Sequence, residues 1–135
     1  MTGKNLAIPV LLTLCLCGCF PAPHRTQLVP ALTGIITQSG QPIAGAEVRV
    51  TYEYDKNYTV VVGTTDTKGR FTYPGKKKFH MFVFFGDPGF DWTLTIRHQG
   101  KDTLGFSDHG LGYVPDHADF ACDLAATTEL ACIQR

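Results

Sequence analysis

The residues best suited to chemistry lie between Ser107 and Asp119, where the sequence SDHGLGYVPDHAD gathers Asp108, His109, Asp116, His117 and Asp119. Carboxylates and imidazoles this close are ligand types for a divalent cation, with His109, Asp116 and His117 the candidates. No fixed-geometry pattern such as HExxH frames them, and polar residues collect in loops in any case. No metal site and no cofactor is therefore expected. Nucleophiles fare no better: Ser39 and Ser107 are the only serines, and neither stands in a nucleophile elbow. His24 falls in a Pro-rich stretch, while His80 and His98 fall on strand-like segments and read as surface or satisfied positions. No catalytic residue is expected, and the protein is not expected to be an enzyme.

The cysteines divide into two groups. The first residues carry a lone Lys4, an apolar run from Leu6 to Leu16 and a small Gly18, the pattern of a secretory signal. That run is short for a bilayer span. Its end, Leu16-Cys17-Gly18-Cys19, looks like a bacterial lipobox, which implies cleavage after Gly18 and a lipid-modified Cys19. A small residue before the cut lets the backbone fit the peptidase, and a thiol at the new first position accepts the diacylglyceryl group. Acyl chains contribute about 0.8 kcal/mol per buried methylene, so such a tether would hold the mature chain to a membrane. Phe20 follows where the inner-membrane retention signal of such lipoproteins has Asp, which implies the periplasmic face of the outer membrane. Cys15 and Cys17 leave with the signal, so Cys122 and Cys132 remain as an even pair in an oxidising compartment. A disulfide is the simplest reading.

Residues 1–18 are thus expected as a signal peptide, 19–31 as lipidated cysteine plus linker, and 32–135 as one folded domain. Hydrophobic residues make up 44% of the chain, enough for a core of that size. Twelve Lys and Arg balance twelve Asp and Glu. With no net field to attract a polyanion, nucleic acid is not an expected partner. Lys76-Lys77-Lys78 is the one basic run and reads as a solvated turn that discourages edge pairing, or as a contact for anionic lipid or a partner.

Pro21, Pro23 and Pro30 mark the linker. Leu32 to Thr37 reads as a strand, with Ser39-Gly40-Gln41-Pro42 turning the chain. Glu47 to Tyr54 alternates, with Val48, Val50, Tyr52 and Tyr54 on one face, the mark of a half-buried strand. Tyr58 to Thr65 carries three valines in succession, which suits a strand covered on both sides. Phe79 to Phe85 is intensely apolar and is expected as a central or sheet-packing strand, or as an interface if one of its faces is left uncovered. Trp92 to His98 alternates again, and Gln99-Gly100-Lys101 turns it into Asp102 to Phe106. Ser107 to His117 reads as irregular and Ala118 to Leu124 as a last strand. The spacing of Leu124, Leu130 and Ile133 predicts a short C-terminal helix over residues 125–133. About seven short strands with regular turn signals predict an all-β sandwich.

Two stretches sharpen that expectation. Gly34 followed by Gly40-Gln41-Pro42-Ile43-Ala44-Gly45-Ala46-Glu47-Val48, and then Thr65-Asp66-Thr67-Lys68-Gly69-Arg70-Phe71, resemble the carboxypeptidase regulatory-like domain. The resemblance implies a transthyretin-like Greek-key sandwich without catalytic residues. Hydroxyisourate hydrolases of similar fold end in Tyr-Arg-Gly-Ser, whereas this chain ends Ala131-Cys132-Ile133-Gln134-Arg135. The expected function is a membrane-anchored periplasmic lipoprotein whose sandwich binds a protein partner or supports an envelope assembly. A secretion-system accessory, as with the transthyretin-like lipoprotein of type VI secretion, and a toxin-immunity lipoprotein are specific versions. Metal binding through the Asp108 to Asp119 loop, or carbohydrate binding through Trp92, Tyr113 or Phe90, are alternatives.

Overall fold

The computed structural model describes residues 21–54, 56–82 and 89–135. Residues 1–20, on which the expected signal, Cys15, Cys17 and Cys19 fall, together with Asp55 and residues 83–88, which take in the end of the apolar run, lie outside the described residues. Two compact units are present, one containing residues 21–26 and 78–82 and the other residues 27–77 and 89–135.

The larger unit is all-β. Its strands are β2 (Ala31–Gln38), β3 (Gln41–Pro42), β4 (Glu47–Tyr54), β5 (Lys56–Thr64), β6 (Arg70–Tyr73), β8 (Gly89–His98), β9 (Lys101–Leu111), β10 (His117–Asp123) and β11 (Cys132–Gln134). One sheet runs β11-β10-β2-β3, with β6 also pairing β2, and the other runs β5-β4-β8-β9. Alternation supplies one inward face to each. Leu32 and Ile36 of β2, with Ala118, Phe120 and Cys122 of β10, join Val48, Val50 and Tyr52 of β4 and Trp92, Leu94 and Ile96 of β8 in a single buried cluster. Two sheets sharing one apolar layer make a sandwich-like arrangement. Trp92, Phe106 and Phe120 meet at its centre, with ring centroids 4.9 Å apart for the two phenylalanines.

Two of the hairpin turns each end in a glycine. Ser39-Gly40 and Gln99-Gly100 hold positive φ at both central positions, which matches the right-handed twist of the strands they join. Gly34 lies under the ring of Phe71: a Cβ there would sit 2.5 Å from Phe71 Cε1 and 2.9 Å from the Phe120 carbonyl oxygen. β2 can pack between β6 and β10 only because that position has no side chain.

Thr65 locks the two sequence stretches together. Its buried hydroxyl donates to the Ile43 carbonyl at 2.6 Å and accepts from the Ala46 amide at 3.0 Å. The Gly45 amide donates to the Thr65 carbonyl at 3.0 Å. Valine at position 65 would keep the shape and orphan both buried backbone groups. Thr65→Val is expected to cost about 2 kcal/mol in urea unfolding, with Thr65→Ser nearer the natural protein.

Asp66 begins the next turn. Its Oδ1 accepts the amides of Lys68 and Arg70, both at 2.8 Å. The Arg70 amide is the main cause that holds this carboxyl below its ordinary value, with the Lys68 amide and the two neighbouring cations adding to it against some desolvation. A depressed folded-state pKa means the contribution is present above the unfolded value, near 4, and fades as pH falls through the folded one. The natural protein should therefore lose stability on acidification by a component that Asp66→Asn lacks. Unfolding midpoints measured between pH 7 and pH 2.5 on both proteins check this.

Several expectations need correction. Residues 125–133 form no helix. Cys122 pairs with Cys132 across antiparallel β10 and β11, so the intervening residues close a hairpin. Asp123 accepts the Ala125 amide with its carboxylate and the Ala126 amide with its carbonyl, and Ala131 donates instead to Leu104. Ser107 to Leu111 is strand rather than irregular loop, because β8 continues alongside and pairs it as far as Gly89 opposite Leu111. The larger unit alone has nine described strands, more than the seven expected. β5 is not covered on both faces, since Tyr58, Thr59 and Thr64 are exposed; it is also the edge strand of its sheet, with its register shifting opposite Val48 and Arg49.

β1 (Pro21–Val29) and β7 (Lys76–Phe82) form a separate two-stranded sheet, and their residues 21–26 and 78–82 are the described part of the smaller unit. The stretch read as linker is thus a strand as far as Val29. The three lysines open β7 instead of forming a turn. β7 lies outside both sandwich sheets, with Phe79 55% and Met81 53% exposed. The His24 and His80 rings stack at 5.5 Å.

Candidate functional site

The five residues singled out between Ser107 and Asp119 are not gathered into one place. Asp108 and His109 lie on β9, where His109 faces Asp91 of β8 in register. Asp116 lies in the loop before β10 and is exposed, 3.8 Å from the Lys77 ammonium. His117 and Asp119 lie on β10, in the other sheet. Among the described residues no group of three or more His, Cys, Asp or Glu side chains is arranged to hold a metal ion.

His117 and Asp119 instead belong to a polar chain on the outward face of the β2-β10-β11 sheet. Parallel pairing sets Thr33 of β2 beside them, at a sequence separation of 84 residues from His117. The Thr33 hydroxyl donates to Asp119 Oδ1 at 2.9 Å and lies 3.3 Å from His117 Nε2. Arg135 closes the chain, its guanidinium 3.0 Å from Asp119 Oδ2 and its amide donating to the Asp119 carbonyl. The threonine proton goes to the carboxylate, so the hydroxyl is a bridging group here and no activated nucleophile.

Next to this chain an apolar groove of about 350 Å³ opens between the sheet and the turn that follows β10. Ile35, Ala121, Leu130 and Ile133 supply its walls, with Thr37 and Arg135 at the rim. The disulfide fixes the groove's depth, because it holds β11 against β10 and thereby holds the turn over the sheet. Gly105 makes room for it: a Cβ there would stand 2.9 Å from Cys132 Sγ. Ile133 is 68% exposed although it belongs to a strand. β11 is also the outermost strand of its sheet.

The opposite sheet has a different outward face. Thr59, Thr51, Thr93 and Ser107 stand in one register row across β5, β4, β8 and β9, and the Thr51 and Thr59 hydroxyls are 3.1 Å apart. Beyond that row lies a wide cleft of about 590 Å³ lined by Glu53, Phe90, Asp91, His109 and Leu111. Sequence reading missed both faces. Alternation along β4 and β8 turns Thr51 and Thr93 away from the buried Val50, Tyr52, Trp92 and Leu94, but nothing local says which strands lie side by side.

A family model described as a domain of unknown function (DUF6795) matches residues 32–125. The chain belongs to this family. The DUF6795 match takes in the strands from β2 to β10 and leaves β1 and β11 outside it. No curated protein matches the chain. Among solved structures, a 9R-lipoxygenase from Cyanothece PCC8801 is similar at 14% identity over 90% of this chain, with a TM-score of 0.36. The chain covers 21% of that lipoxygenase.

Trp92 is 1% exposed and lies in the core, so it offers no stacking surface to a sugar. Tyr113 is exposed in the loop after β9, and Phe90 is half-buried. Carbohydrate binding therefore loses its largest platform.

Proposed function

We propose that this DUF6795 domain is the folded part of a lipoprotein of the bacterial outer membrane, tethered through Cys19 on the periplasmic face, and that it binds a protein partner without catalysing a reaction. The sandwich is read as a carboxypeptidase regulatory-like module of Greek-key type. Support for that finer assignment comes from Thr65, which bonds one characteristic stretch to the other, and from Gly34, whose position tolerates no side chain. Support for export comes from the Cys122–Cys132 disulfide, a bond that persists in oxidising compartments.

The observation that carries the binding role is the groove beside β11. An edge strand with an exposed isoleucine and an adjoining apolar trough suits an extended peptide, which would pair with the strand and seat an apolar side chain between Ile35 and Leu130. Asp119 and Arg135 at one end would set its register. A photo-crosslinking residue in place of Ile133, in intact cells, tests this. One defined envelope protein should be captured, and capture should fall several-fold with Ile35→Asp while the melting temperature of the domain is kept. Capture unaffected by Ile35→Asp would place the partner elsewhere, and absence of any crosslink would remove the groove from the account.

A further inference from the structure

The charge of this chain is neutral in sum and uneven in place. β1 and β7 together hold Arg25, Lys76, Lys77 and Lys78 and no acidic residue, although the whole chain balances twelve cations with twelve carboxylates. Within the smaller unit, Arg25 and Lys78 are exposed, and so are Phe79 and Met81. Phe79 and Met81 are two residues apart on a strand, so they project from one face. Lys77 projects from that same face, its ammonium 3.8 Å from the exposed Asp116, while Lys76 and Lys78 project from the other and reach round on long flexible stems. An exposed aromatic and thioether flanked by such cations have the composition of an interfacial membrane contact, where apolar side chains enter the headgroup boundary and cations meet anionic lipid. β1 begins at Pro21, two residues beyond Cys19, so the strand paired with β7 is also the chain nearest the proposed tether.

We infer that the β1–β7 sheet lies on the anionic lipid surface to which the protein is anchored, with Phe79 and Met81 entering the headgroup boundary and the basic residues contacting lipid phosphates. This rests on the lipoprotein reading for the bilayer's proximity, and it adds a second, peripheral contact to the covalent one. The cations are drawn to such a surface by a field that dissolved salt screens. The contact is therefore sensitive to salt, which the acyl anchor is not.

The full-length protein with Phe79→Trp, purified from membranes, is placed in vesicles of phosphatidylethanolamine and phosphatidylglycerol containing brominated acyl chains. Trp92, buried in the core, provides the reference emission in the natural protein. The expected result is loss of most of the added indole emission, reversed by Lys76→Glu/Lys77→Glu/Lys78→Glu and by high salt. Unquenched added emission from protein that floats with the vesicles would overturn the inference and leave the tether standing. Absence of palmitate labelling would overturn the tether, and quenching would still decide the strand's contact. A blue shift of the added emission that rises with protein concentration without vesicles would mean that a second copy covers the strand, which also overturns the inference.

Discussion

Phe120→Ala is expected to cost about 3–5 kcal/mol, the range for truncating a fully buried aromatic that its surroundings cannot replace. Phe120 is completely buried, its ring lies against Phe106 and Trp92, and its strand joins β2 on one side to β11 on the other. The cavity left would open where the two sheets face each other, and the backbone around it is already tight at Gly34. A domain of this size has a margin of about 5–15 kcal/mol, so the variant should retain its fold with a much lower urea midpoint. Circular dichroism through a urea titration reads the shift, and an unchanged slope would show that the loss is in stability and not in the compactness of either state. A loss under about 1 kcal/mol would mean that the two sheets do not share this core.

The disulfide comes next in size. Replacing Cys122 and Cys132 together with alanine should cost about 3 kcal/mol, as expected for releasing a loop of ten residues in the unfolded chain. The local consequence matters more for function than the global one. The crosslink, the three-residue β11 ladder, a few backbone bonds and the half-exposed Arg135–Asp119 ion pair hold the groove's outer wall. Reduction should therefore open the groove before it unfolds the sandwich. Amide exchange would show this as early loss of protection at Ala131 and Ile133, with Leu94 and Val50 still protected. Simultaneous loss at all four would mean that the hairpin is integral to the core.

Much of the sandwich was legible because its signals are local. β4 and β8 alternate cleanly, and Gly40 and Gly100 mark the two turns at positions of positive φ. The Cys122–Cys132 bond followed from counting cysteines once an exported chain was assumed. The parts that misled are those whose structure comes from a neighbour. The Gly110-containing end of β9 has poor strand propensity, yet β8 supplies its ladder. β1 is Pro-rich, yet it pairs with β7. The C-terminal residues show helix-like spacing, yet the crosslink makes them a hairpin. Context of this kind outweighs intrinsic preference in sheets generally.

The candidate site was the least legible. His109 and His117 sit eight residues apart in sequence and fall on different sheets, while Thr33 and His117 meet only through the parallel pairing of β2 with β10. Parallel neighbours leave no local trace, since their connection can run through most of the chain. The groove likewise depends on where β11 docks, which composition does not encode.

The proposed tether at Cys19 would place the domain at a membrane, and both the proposed partner and the proposed lipid contact depend on that placement. Intact-mass and peptide mass spectrometry of the mature protein extracted from cell envelopes tests it directly. The account predicts that the chain begins at Cys19 with thioether-linked diacylglycerol and N-linked acyl groups, and that Cys19→Ala abolishes the modification. A mature chain that starts elsewhere, or an unmodified Cys19 thiol, would contradict it.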